Sequence, residues 1–127
     1  FLLASTQSLA ETKSEWINIA ESSSDGSKWD MKAGSFEFSK TKGGTAIAVV
    51  VGRVVNKKST EISLYKWYVS AEDCKNKMGK VVSLGVDGEF KFENEFVFDS
   101  GNISSAMAEG VCSVADYLIK EANDKSL

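Results

Sequence analysis

Hydrophobic and polar residues alternate with a period of two up to Asp99, and a helical period takes over after it. Glu15-Trp16-Ile17-Asn18-Ile19-Ala20 alternates and predicts a first strand. The polar stretch from Ser22 to Ser27 carries Asp25-Gly26, a hairpin dipeptide. Ser27-Lys28-Trp29-Asp30-Met31 predicts a short returning strand, broken at Ala33-Gly34. Alternation resumes from Ser35 to Ser39, and Thr41-Lys42-Gly43-Gly44 turns the chain again.

Thr45 to Val55 is β-branched and apolar on both phases, which predicts a central strand covered on both faces. Gly52 within it predicts a bulge or bend. After a turn at Asn56-Lys57-Lys58-Ser59, Glu61 to Val69 predicts an aromatic-rich strand with Tyr65, Trp67 and Tyr68. The chain leaves the sheet over 70–76 and returns over 79–86, with Asp87-Gly88 as a second hairpin dipeptide.

The segment from Glu89 to Asp99 has the cleanest alternation. Phe90, Phe92, Phe96 and Phe98 share one phase with a single polar residue, Asn94, while Lys91, Glu93 and Glu95 share the other. The pattern predicts a half-buried strand with all four phenylalanines in the core. A sharper reading makes them part of an aromatic ligand groove. Beyond it, Ile103, Met107, Val111, Val114 and Leu118 form an apolar stripe beside Ala108, Cys112, Ala115 and Ile119. That is a helix, capped by Ser100 or Asn102 and fading over 120–124. The sum is an α+β chain: an antiparallel meander of about six strands packed by one C-terminal helix. A nucleotide-binding parallel sheet does not fit, because strands and helices do not alternate.

The first ten residues change the picture. Phe1-Leu2-Leu3-Ala4 is apolar, Ser8-Leu9-Ala10 has small residues at the cleavage positions, and Glu11-Thr12-Lys13 is polar. Residues 1–10 are expected to be a signal-peptide remnant, with 11–127 a single domain. In an exported chain Cys74 and Cys112 are expected to be bridged.

Composition excludes more than it assigns. The formal net charge is −3 and no basic patch appears, so nucleic acid is not an expected partner. No apolar run has the length of a membrane span. The chain has no histidine, which removes Ser-His-Asp and Cys-His chemistry and His-ligated zinc. Glu93 and Glu95 read as a solvated face, Asp25-Gly26 and Asp87-Gly88 as turns without calcium-loop spacing. No catalytic constellation, metal site or cofactor is expected. What remains is aromatic surface. Trp67 and Tyr68 are consecutive and face opposite ways, so Lys28, Trp29, Tyr65, Trp67 and Tyr68 are candidate protein-binding residues. The plainer reading places these rings in the core.

The order of these signals resembles the surface-adhesin E family of exported Gram-negative bacterial proteins. The matching features are the Trp16–Ile19 strand, the Asp25-Gly26 hairpin leading to Trp29, a strand running into Asp73-Cys74, and the helix Ala106-Met107-Ala108-Glu109-Gly110-Val111-Cys112. They cover most of residues 15–115. The chain departs from the family at Trp29-Asp30, where a paired tyrosine before the Asp is common, and in having no proline and little arginine. The resemblance implies a sheet packed by a helix, a Cys-Cys bridge, and a place in the periplasm or at the cell surface. The expected function is a non-catalytic, adhesin-like binding module for a host matrix or envelope protein. The alternative is a periplasmic inhibitor or immunity protein against a cell-wall hydrolase or toxin. Ser24-Asp25-Gly26-Ser27-Lys28-Trp29 would be its inhibitory loop. Edge strands leave room for a homodimer.

Overall fold

The computed structural model describes residues 15–126, with side chains described to Ala122. The expected signal remnant lies outside the described residues. Strands β1 (Trp16–Glu21), β2 (Lys28–Lys32), β3 (Glu37–Lys40), β4 (Ala46–Val55), β5 (Ile62–Ser70), β6 (Met78–Leu84) and β7 (Phe90–Val97) form one antiparallel sheet. Its order is β1-β2-β4-β5-β6-β7, with β3 also pairing β4.

Seven strands replace the expected six or so because β2 and β3 share one edge of β4. Lys28–Met31 pairs with Gly52–Val55, and Glu37–Lys40 pairs with Ala46–Val49. The corner between them contains Gly34, at φ +80°. A side chain would be strained there. Ser35 closes the gap: its Oγ accepts from Val51 N and donates to the Lys32 carbonyl. The Val51 N–H is therefore paired at the break.

Both phases of β4 are buried from Ile47 to Val50, as the β-branched run predicts. The β4–β5 register runs unbroken through Gly52, so the expected bulge there is absent. Gly52 instead makes room for a neighbouring ring, as described below.

Residues 70–76 leave the sheet as a short helix, α1 (Ala71–Asn76), rather than as a plain exit. Ser70 Oγ caps it by accepting from Asp73 N, and Lys77 ends it in the left-handed region at φ 61°. The second helix, α2 (Ile103–Ser126), is capped by Asn102, whose Oδ1 accepts from Ser105 N. It does not fade at Lys120. Helix α2 packs across β1, β4, β5, β6 and β7 on one face of the sheet. Its buried stripe is Met107, Ala108, Val111, Cys112 and Ala115, against Met31, Ala48, Val50, Trp67, Val69, Val81 and Phe96. Ile119 was expected in that stripe but is exposed, as is Tyr117 beside it.

Cys74 of α1 is bonded to Cys112 of α2, with Cα atoms 5.5 Å apart and a sequence separation of 38. The bridge pins the short helix to the long one. Closing a loop of that length stabilises by roughly 4 kcal/mol in the chain-entropy account.

The four phenylalanines of the last strand do not all enter the core. Phe96 is buried and Phe98 packs against the core, but Phe92 is 45% and Phe90 58% exposed. There are two reasons. The β6–β7 register shifts between Ser83 and Leu84, which puts Phe92 opposite Ser83 and Phe90 opposite Leu84. Alternation of faces is lost at such a bulge. Helix α2 also starts at the other end of β7, where Ser105 Oγ donates to the Val97 carbonyl.

Candidate functional site

Turns at 22–27, 56–61 and 85–89 close the β1–β2, β4–β5 and β6–β7 hairpins, so a meander carries all three at the same end of the sheet. Helix α2 begins towards the opposite end. The sheet face beside these turns is therefore left partly bare, and a cleft of about 430 Å³ opens there.

Cross-strand register builds the cleft row by row. Trp29 lies beside Val54, and Val54 beside Ser63. Met31 lies beside Gly52, and Gly52 beside Tyr65. Trp67 lies beside Ser83, and Ser83 beside Phe92. Alternation along β5 then brings Glu61, Ser63, Tyr65 and Trp67 to one face. All four line the cleft, with Asn94 of β7 beside them and Ile103 and Met107 of α2 as its helical wall.

Trp67 is the floor, 1% exposed. A Cβ on Gly52 would stand 2.3 Å from the Trp67 ring, so the indole occupies the space a side chain at 52 would take. The walls are Trp29, half-buried, and the Tyr65–Phe92 pair, whose rings meet edge to face at 5.7 Å and 70°. That geometry suits the ring quadrupoles and fixes both aromatics without a covalent tie.

The polar groups are hydroxyls, amides and one carboxylate. Glu61 is the one charged side chain among the described residues that line the cleft. Ser83 is 1% exposed, and its Oγ has no hydrogen-bond partner among the described residues. A buried hydroxyl is normally paired, because leaving water without a partner costs free energy. The cleft can therefore stack a ring and hydrogen-bond it at its base.

Three of the five expected binding residues come together here: Trp29, Tyr65 and Trp67. Lys28 does not. It is exposed at the start of β2, beside Lys57 and Thr60 in a separate shallow depression. Tyr68 follows Trp67 and pairs with Val49 and Val82, on the face turned away from α2. Lys28 and Trp29 belong to β2, and Trp29 packs against the core, so neither projects as part of a loop tip.

Ser83 and Asn94 were not singled out as binding residues, and Phe92 entered only through the sharper reading of its strand as an aromatic ligand groove. Asn94 had announced itself as a polar break in an aromatic phase. Ser83 breaks the apolar run Val81-Val82-Ser83-Leu84 in the same way. Register makes the two breaks diagonal neighbours, since Ser83 pairs with Phe92 and Asn94 with Val81.

A second polar cluster sits on the opposite face, around a carboxylate paired on both oxygens. Buried Asp30 accepts from Arg53 Nε at 2.9 Å and from Asn18 Nδ2 at 3.0 Å. The Arg53 guanidinium in turn lies 4.3 Å from the centre of the Trp16 ring. Glu93 pairs with Lys80 at 2.7 Å, and that hydrogen bond raises the lysine pKa. No group of three or more His, Cys, Asp or Glu side chains among the described residues could hold a metal ion.

Comparison with family models, with curated proteins and with solved structures returns no match to this chain.

Proposed function

We propose that this chain is a non-catalytic, exported binding module of the bacterial cell envelope, adhesin-like in action, which holds a protein partner at the aromatic cleft. The observation that carries this reading is the union of Trp29, Tyr65 and Phe92 around a buried, unpartnered Ser83 hydroxyl. Aromatic walls with a few placed polar groups are the usual make-up of a recognition site. The Cys74–Cys112 bridge supports export, since such bonds persist in oxidising compartments. A binding role also suits the lining, which pairs hydroxyls and amides with a single acid, Glu61. The order of sequence signals shared with the surface-adhesin E family points the same way.

The test is capture by the immobilised, oxidised chain from outer-membrane extract and from purified host matrix proteins. The expected result is a specific partner that Trp29→Ala or Tyr65→Ala releases and Tyr68→Ala, on the opposite face, retains. Capture that survives both cleft substitutions would overturn the reading.

A further inference from the structure

We propose that the group the cleft takes from its partner is a saccharide, a neutral ring bearing hydroxyls. The proposal rests on the cleft being the recognition surface and adds the chemistry of what enters it.

The lining sorts ligand classes by elimination. The described lining residues include no cation, and their one charge is the carboxylate of Glu61, so phosphates and carboxylates gain no attraction there. A wholly apolar ligand would cover the Ser83 hydroxyl and leave it unpaired. An ammonium group donates but does not accept, so the Ser83 O–H would still lack an acceptor. A hydroxyl can accept from Ser83 or donate to it, so two neighbouring hydroxyls on one ligand can satisfy both of its capacities.

A phenol also carries a hydroxyl, but only one. The cleft combines buried Ser83 with exposed Asn94 and Glu61 in its lining, more hydrogen-bonding groups than a single phenol can engage. A sugar ring carries several hydroxyls, and its C–H faces are apolar. Those faces can lie on the rings of Trp29, Tyr65 and Phe92 while the hydroxyls reach the polar groups. A volume of about 430 Å³ is within the usual range for a small-molecule site.

The experiment titrates the oxidised chain with glucose, galactose, mannose, N-acetylglucosamine and N-acetyltyrosine amide, each as a free probe. The readout is the indole N–H resonance of Trp29. At least one sugar should shift it saturably, and Ser83→Ala should weaken that sugar about tenfold. Ser83→Ala deletes a buried hydroxyl with no partner, so its urea midpoint should equal or exceed that of the parent and separate lost binding from lost folding. No shift with any sugar, a shift with N-acetyltyrosine amide alone, or a sugar shift untouched by Ser83→Ala would each overturn the proposal. Failure of the sugars alongside partner capture that still depends on Trp29 would remove the saccharide and leave the binding-module reading standing. Capture independent of Trp29 would remove that reading instead.

Discussion

The indole of Trp67 lies over Gly52, so close that a Cβ at 52 would stand 2.3 Å from its Cζ3 atom. Gly52 is on β4 and Trp67 on β5, diagonal neighbours on the same face, because Gly52 pairs with Tyr65 and Val50 with Trp67. Gly52→Ala should force the ring out of its place and cost about 1–3 kcal/mol, the usual range for overpacking. Urea denaturation should show a lower midpoint. Because Trp67 floors the cleft, the same substitution should alter tryptophan fluorescence in the folded state. A parent-like midpoint would contradict the close approach.

The bridge between Cys74 and Cys112 gives a second expectation. Cys74→Ser with Cys112→Ser should lower stability by roughly 4 kcal/mol, less to the extent that the unbridged denatured chain keeps structure. The loss should fall first on α1. That helix has only six residues and no buried residue of its own, so the bond to α2 is its main anchor. Hydrogen exchange should show residues 71–76 losing protection before the sheet does.

These two cases show how much the sequence could reveal. Strand alternation, turn dipeptides and the helical stripe are local signals, and they placed every strand and the long helix. The cysteine pair was legible from its even number in a chain expected to be exported. Gly52 was not, because a glycine inside a strand signals either a bulge or a close approach, and only the partner across the sheet decides. The short helix α1 was passed over although Ser70-Ala71-Glu72-Asp73 carries a capping signature, since six residues show no periodicity. The cleft was half legible. Trp29, Tyr65 and Trp67 stood out as large rings on strands. Phe92 was assigned to the core because it keeps the phase of Phe96, and a period of two does not show how far the helix will cover the strand. Ser83 needs three-dimensional knowledge of its own: a serine in an apolar run is unremarkable until its hydroxyl is found without a partner.

Acid should loosen the first hairpin in a defined way. The Asp25 carboxylate accepts from the backbone N–H of Ser27 at 2.9 Å, and this hydrogen bond holds its pKa below the ordinary value of 3.8. A folded-state pKa below the unfolded one adds stability that is fully present above the unfolded value. That stability is lost as pH falls through the folded one. The protection of the Ser27 amide, relative to its intrinsic exchange rate at each pH, should therefore fall as pH drops below 3.8, ahead of core amides. Asp25→Ala should remove this pH dependence at Ser27. A carboxyl resonance of Asp25 titrating at or above the ordinary value would refute the assignment.

Arg53 and Asp30 offer the sharpest energetic test away from the cleft. Asp30 is buried, and its two oxygens are engaged by Arg53 and Asn18. Arg53→Met deletes the cation and keeps an aliphatic stem, leaving a buried carboxylate with one amide for company. The expected loss is about 1–3 kcal/mol, below the range for a fully buried pair because Arg53 retains some exposure. Replacing Asp30 by Leu as well removes the stranded charge, so the double variant should be more stable than Arg53→Met alone. A double-mutant cycle by urea denaturation measures this directly. If the double variant is no better than the single one, the carboxylate is not the source of the loss, and the contact of the guanidinium with Trp16 must carry the energy instead.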